Sequence, residues 1–230
     1  LARLILLTQP EFADTIVRAL RAVAGALDLR VATTKAELEA SMADGVRLVS
    51  FGSGVIVPAA LLARATAGAY NFHPGPPEYP GIFPSVFALY DGATRFGVTL
   101  HEMAALVDSG PIVAVDDFDI PPAWDRLALD TASFRALITL LAQTAPQLTD
   151  LRKPLPHITR AWGKTLRTRK DFDTLCHLPE DVSAEEFTRR YRAVGEGPDH
   201  ALTLTRDGQT YRFDNKRGSA VVRGGQPIKP

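Results

Sequence analysis

The sequence predicts a doubly wound α/β domain with a mostly parallel sheet, followed by a small C-terminal α+β appendage. Three observations carry this reading. Short continuous apolar runs recur at 3–8, 46–51 and 69–73, the mark of strands buried on both faces. Between them, apolar residues return every three or four positions, which is the helical period. From about residue 151 that alternation stops. The chain therefore divides into a large domain over 1–150 and an appendage over 151–230.

RLILLT at 3–8 is the first strand, and Pro10 opens a helix whose stripe is Phe12, Ile16, Leu20, Val23 and Leu27. LDLRVAT is the second strand. Thr34 and Glu37 have capping-box spacing for a short helix carrying Leu38 and Met42. VRLVSF at 46–51 is the third strand, Pro58 opens the helix PAALLARA, and AYNFH at 69–73 is the fourth strand. HPGPPEYPGIFP then packs five prolines and two glycines into twelve residues, which predicts an ordered irregular loop of the kind that carries function. RFGVTLHEM places Phe96, Val98 and Leu100 on one face of a further strand, and PIVAVDDFDI is another. A long helix follows with Phe134, Leu137, Ile138, Leu141 and Leu148 on its stripe.

In the appendage, seven Lys or Arg between Arg152 and Lys170 read as a surface loop with no clean period. Ser183 and Glu186 have capping-box spacing for a helix bearing Phe187, Tyr191 and Val194. ALTLTRDGQTYRF alternates with period two around Asp207-Gly208, a hairpin signal, and SAVVR adds a third strand.

Composition limits the function classes. The 230 residues hold 26 Lys+Arg, 26 Asp+Glu and 46% hydrophobic residues, which is enough apolar material for a core and excludes intrinsic disorder. A formal charge of zero argues against a general nucleic-acid coat or a polybasic membrane binder, so affinity for phosphate must be local. No apolar run approaches the roughly 18–20 residues of a bilayer span. The opening LARLILLTQPEF lacks the parts of a signal peptide. The single cysteine, Cys176, allows no internal disulfide and reads as a passive apolar filler. A cytoplasmic protein without membrane partners is expected.

Ligands of an open α/β sheet bind beyond the C-terminal strand ends, which points to 51–58 and to 71 onward. Strand alternation puts Asn71 and His73 on one face with Phe72 on the other. Two polar groups at the end of an apolar strand suggest binding of a shared substrate atom. Asp108, in VDSGPI, lies in the loop before the next strand, where Gly110 allows a tight turn. A carboxylate delivered to this pair would orient the imidazole and raise its pKa for acid–base work. By spacing alone Asp108 is equally readable as a turn residue. No Cys/His cluster has metal-ligand spacing, so no metal is expected.

Asn71-Phe72-His73-Pro74, then Gly97-Val98-Thr99-Leu100-His101 and Asp108-Ser109-Gly110-Pro111-Ile112, resemble the folate-dependent formyltransferases over about residues 46–118. SGVIVP at 53–58 resembles a further stretch of that family. The resemblance implies a Rossmann-like fold, a catalytic domain over 1–150, and 10-formyltetrahydrofolate as formyl donor. It implies Asn71, His73 and Asp108 as catalytic residues, and Gly54, Val55, Ile56, Val57, Pro58 and Val107 as folate-binding residues. Asn71 and His73 would donate to the developing oxyanion, and Asp108 would hold His73.

Phe87 stands where many relatives carry Trp, and Ala104 and Leu106 replace an acidic residue and a glycine. Thr8-Gln9-Pro10 lacks the glycine-rich turn of relatives that use glycinamide ribonucleotide. The layout after 151 is similar to the tails of amino-sugar formyltransferases, which implies a small-molecule amine on a nucleotide as partner. A methionyl-tRNA formyltransferase-like enzyme, with tRNA as the one nucleic-acid partner, and a formyltetrahydrofolate hydrolase are the alternatives. A folate-binding module without turnover is the reading from another class. A homodimer is open on the sequence.

Overall fold

The computed structural model describes residues 3–195, 197, 200–214 and 219–222. By contact density the chain forms two compact units that interleave along the sequence. One comprises 1–80, 97–118 and 133–164, and the other 81–96, 119–132 and 165–230.

The first unit is built on a six-stranded sheet. Its strands are β1 (Arg3–Thr8), β2 (Leu29–Ala32), β3 (Val46–Phe51), β4 (Ala69–His73), β5 (Arg95–Glu102) and β6 (Ile112–Asp119), in the order β2-β1-β3-β4-β5-β6. β1 pairs in parallel with β2 and β3, and β3 with β4. β5 runs antiparallel to β4, which sets Asn71 opposite His101 and His73 opposite Thr99. All six residues of β3 are buried, as expected for a central strand covered on both faces.

One face of the sheet is covered by α1 (Pro10–Val23) and α5 (Arg126–Thr149), whose Ile16, Leu20, Leu137, Leu141 and Leu148 meet Leu4, Leu6, Phe51 and Phe72. The other is covered by α2 (Lys35–Ser41) and α3 (Ala59–Leu62), where Leu38 and Leu61 meet Ile5, Leu7 and Leu48. Thr34 and Glu37 form the full capping box. α1 stops at Val23, so Leu27 packs on the core from the following turn. α3 spans four residues with Pro58 as its N-cap, shorter than the PAALLARA helix expected from sequence.

Arg47 is fully buried on β3. Its guanidinium donates to the carbonyls of Ala67, Gln147, Leu148, Asp150 and Lys153. It thereby satisfies carbonyls at the C-terminal end of α5 that have no partner within the helix.

In the second unit, α4 (Pro84–Tyr90) packs on α7 (Ala184–Val194), and Tyr90 donates to Glu186 Oε1 at 2.9 Å. Ser183 Oγ accepts from the Glu186 N–H, but the Glu186 carboxylate is engaged by Tyr90, Arg189 and Arg190. Competing donors thus leave half of the expected capping box. α6 (Arg169–Cys176) begins inside the segment expected to be a basic loop, because Thr168 and Asp171 cap it reciprocally. β7 (His177–Leu178), β8 (Thr203–Arg206), β9 (Gln209–Asp214) and β10 (Ser219–Val222) form a four-stranded sheet in the order β10-β9-β8-β7. The β8–β9 hairpin turns at Asp207-Gly208, both at positive φ. Arg223 of the expected third strand lies outside the described residues. Among the described residues, no helix is long and apolar enough to cross a membrane.

Candidate active site

Four polar side chains meet at the C-terminal end of β4. His73 ends that strand, Asn71 lies two residues earlier on the same face, and His101 on β5 is the cross-strand partner of Asn71. Asp108 arrives from the turn between β5 and β6 with φ at 46°. This left-handed conformation is uncommon outside glycine, and Asp and Asn are among the side chains that tolerate it. Ser109 Oγ donates to the Leu106 carbonyl and stabilises the turn. Gly110 is required for close approach, since a Cβ there would lie 1.9 Å from the Glu102 carbonyl oxygen.

Each oxygen of Asp108 faces one imidazole. Oδ2 lies 3.3 Å from His73 Nδ1, and Oδ1 lies 3.3 Å from His101 Nε2. His73 Nε2–H donates to the Tyr79 carbonyl at 3.0 Å. His101 Nδ1–H donates to the Glu102 carbonyl at 2.9 Å, and its Nε2 accepts from Asn71 Nδ2 at 3.1 Å. That pattern fits a neutral His101 protonated on Nδ1. His73 keeps one proton on Nε2, so a second proton on Nδ1 would be shared with Asp108.

His73 and His101 are each 3% exposed and Asp108 is 6% exposed. Burial pushes the His73 pKa below the ordinary histidine value, Asp108 and the Tyr79 carbonyl pull it back up, and His101 lowers it slightly further. The net direction is downward, so at neutral pH His73 is an unprotonated acceptor beside a carboxylate. Thr99 Oγ1 donates to the Gly75 carbonyl and Ser133 Oγ to that of Pro74. These bonds fix the start of the proline-rich segment behind His73.

A cleft of about 570 Å³, counting its open mouth, is lined by Asn71, His101 and Asp108 on its polar side. Val55, Ile56, Val57, Leu106 and Val107 make its apolar side. Ile56 is 69% exposed and Leu106 73%, a concentration of uncovered apolar surface beside a buried polar cluster. Of the residues assigned to the folate from sequence, Val55, Ile56, Val57 and Val107 line the cleft, whereas Gly54 and Pro58 flank that wall in the chain. Asn71 and Asp108 line it too, while His73 stands on the opposite side of the Asp108 carboxylate.

Trp162 lies edge-on to both imidazoles, with ring centroids 5.6 Å from His73 and 4.9 Å from His101. Sequence reading did not assign it, nor His101. The signal for His101 was present, because a strand with Phe96, Val98 and Leu100 on one face presents Thr99 and His101 on the other. Trp162 carried no such signal, since its position depends on a non-repetitive segment.

The family model described as formyl transferase matches residues 17–133, just over half of the 230 residues. The chain belongs to the formyl transferase family. Among solved structures, this formyltransferase is similar to a sugar N-formyltransferase from a Shewanella species, with 18% identity and a TM-score of 0.75 over 93% of this chain and 96% of that one. It is also similar to an N-formyltransferase from Helicobacter canadensis, in complex with folinic acid and dTDP-3-aminofucose. There the identity is 13% and the TM-score 0.68, over 96% and 95% of the two chains. A methionyl-tRNA formyltransferase from Clostridium thermocellum matches at 14% identity and a TM-score of 0.66 over 100% of both. At these identities the likenesses establish the Rossmann-like fold of the formyltransferase.

Other residues singled out from sequence lie elsewhere. Phe87 is buried in α4 with the Arg167 guanidinium 4.5 Å over its ring. Ala104 and Leu106 line the cleft. In the basic stretch, Arg160 is held by Asp117 and Glu78 and Arg167 by Asp91, while Lys164 is exposed. Cys176 is buried and its thiol pKa is pushed up to about 12 by burial, which makes it a poor nucleophile. Among the described residues, no group of His, Cys, Asp and Glu is arranged to hold a metal ion.

Proposed function

We propose that this formyltransferase moves the formyl group of 10-formyltetrahydrofolate to a primary amine, an amino sugar carried on a nucleotide. The observation that carries the reading is the buried His73–Asp108–His101 cluster with Asn71 at the floor of a cleft whose opposite wall is apolar. The exposed Ile56, Leu106 and Val107, beside half-buried Val55, make an apolar surface that suits a flat heteroaromatic ring, and the folate would supply an electrophilic formyl carbon.

In the proposed reaction the acceptor amine forms a C–N bond to that carbon, and negative charge develops on the formyl oxygen. The amide N–H of Asn71 is positioned to donate to this oxygen; a donor of this kind is typically worth about 3–4 kcal/mol. Asp108, whose carboxylate lines the cleft, takes the amine proton and shares it with His73 Nδ1, 3.3 Å away on its other side. The proton then passes to the departing folate nitrogen as the C–N bond to the folate breaks, so none is gained or lost overall. His101 Nε2 accepts from Asn71 Nδ2 and so orients the amide.

The sugar-nucleotide acceptor is supported by full-length likeness to the Shewanella and Helicobacter enzymes, the second in complex with an amino-sugar nucleotide. In the basic stretch Arg160 and Arg167 are already paired with carboxylates, so a contact to the nucleotide phosphates from this stretch would fall to its other Lys and Arg residues, exposed Lys164 among them. The likeness to the Clostridium enzyme over 100% of both chains supports a second reading, methionyl-tRNA as acceptor. In either case the chemistry is assigned to residues within 1–150, with 151–230 as the appendage.

The test is to mix the protein with 10-formyltetrahydrofolate and follow folate release without amine, with nucleotide-linked amino sugars, and with methionyl-tRNA. Release that depends on an amino-sugar nucleotide supports the proposal, and release with methionyl-tRNA supports the second reading. Equal release without amine identifies a hydrolase. Binding without release identifies a folate-binding module, and both of these outcomes overturn transfer.

A further inference from the structure

Trp162 makes three contacts that converge on the catalytic cluster. It lies edge-on to His73 at an interplanar angle of 77° and to His101 at 90°, and its Nε1–H donates to the Gly110 carbonyl at 2.7 Å. Gly110 is two residues beyond Asp108 and abuts the Glu102 backbone. The bond from Trp162 therefore restrains the turn that delivers the carboxylate.

The segment carrying Trp162 is itself fastened along its length. Ile158 N–H donates to the Ile112 carbonyl, Arg160 bridges Asp117 and Glu78, and Gly163 N–H donates to the Pro77 carbonyl. At Gly163 a Cβ would lie 2.6 Å from the Glu78 carbonyl oxygen, so the strap lies directly on that backbone. A half-buried indole is held at this place while the two imidazoles beneath it are almost wholly covered.

We propose that Trp162 is a positioning residue of the cluster. It walls both imidazoles from water and, through Gly110, holds the Asp108 turn, so that the amine and not water takes the formyl group. This rests on the formyl-transfer reading. An aliphatic side chain could fill similar space, but only an indole combines an aromatic edge for two rings with a donor that reaches the turn. The groups facing His73 are Asp108, His101 and the Tyr79 carbonyl, and those facing His101 are Asn71, Asp108 and the Glu102 carbonyl. Trp162 adds no charge, so its effect on the imidazoles is through exclusion of water.

The test uses the full chain and two readouts. The protein has two tryptophans, so Trp124→Phe leaves Trp162 as the sole indole. Quenching of its emission by added acrylamide, measured at neutral pH without substrate, should be weaker than for a free indole, because two buried imidazoles and the Gly110 turn cover part of the ring. It should strengthen when His73 and His101 are both replaced by Ala. Quenching as strong as that of a free indole overturns the contact.

For turnover, Trp162→Ala should raise the ratio of amine-independent formate release to transfer by about tenfold and move the acid limb of kcat/KM to higher pH. Trp162→Phe, which keeps the wall and loses the donor, should lie between Ala and the parent. It also serves if the Ala variant does not fold. An unchanged ratio and pH profile in the folded variants overturns the proposal. If the parent itself shows no turnover with any amine, the formyl-transfer reading fails, while the quenching measurement still decides whether Trp162 caps the cluster.

Discussion

Asn71 and His101 face each other across the antiparallel β4–β5 pair, with 3.1 Å between Nδ2 and Nε2. That pairing exists because β5 runs antiparallel beside the parallel run β2-β1-β3-β4. It places a second imidazole against the same carboxylate that His73 faces. The acid–base group is thus a His–Asp–His arrangement in which the carboxylate stands between two imidazoles.

Replacing Asp108 by Asn should lower kcat about 10²–10⁴-fold, the usual range for loss of acid–base assistance. Asn tolerates the φ of 46° at this position, so circular dichroism and the unfolding midpoint should stay close to the parent. A kcat within tenfold of the parent in a folded variant would remove Asp108 from the mechanism.

Ile56→Asp should weaken folate binding, and Asn71→Ala should lower turnover with little change in affinity. An apolar wall acts on ground state and transition state alike, whereas a donor to the developing oxyanion strengthens only during reaction. Equilibrium binding of 10-formyltetrahydrofolate and single-turnover rates separate the two. Equal losses of affinity would refute the division.

The His73 pKa is lowered from its ordinary value of 6.5, chiefly by burial. Its neutral form is therefore favoured in the fold, and the unfolded chain binds more protons at acidic pH. The stability contributed by a neutral His73 should be fully present above about pH 6.5 and decline as pH falls through the folded pKa. kcat/KM should hold level to below pH 6.5 before its acid limb. Urea midpoints and kcat/KM measured from pH 5 to 8 check both signs, and a limb above 6.5 contradicts the burial argument.

Arg47→Met should destabilise the protein by roughly 3 kcal/mol or more. It strands several carbonyls at the end of α5 that the guanidinium now satisfies, and each buried unsatisfied group costs about 1–3 kcal/mol. Urea unfolding measures this directly. A loss below about 1 kcal/mol would mean that water replaces the guanidinium.

Periodicity and apolar runs determined the strands and helices of the parallel core, because each of those elements buries a face whose pattern is written locally. The strand-end rule and the motif residues likewise brought Asn71, His73 and Asp108 forward as candidates. Helices α4 and α6 escaped that reading, being short and marked by Pro84 and by the Thr168–Asp171 capping box rather than by a long stripe. Arg47 read as one polar residue in an apolar strand, since its carbonyl partners lie up to 106 positions away. The face that carries His101 was legible in the alternation of β5, but its approach to Asn71, and that of Trp162 to the cluster, was decided by tertiary structure. The first depends on β5 pairing antiparallel to β4 in one register, and the second on a non-repetitive strap pinned at Ile112, Asp117 and Pro77. Contacts of this kind are selected by the packing of distant segments, and no local period in a single sequence encodes them.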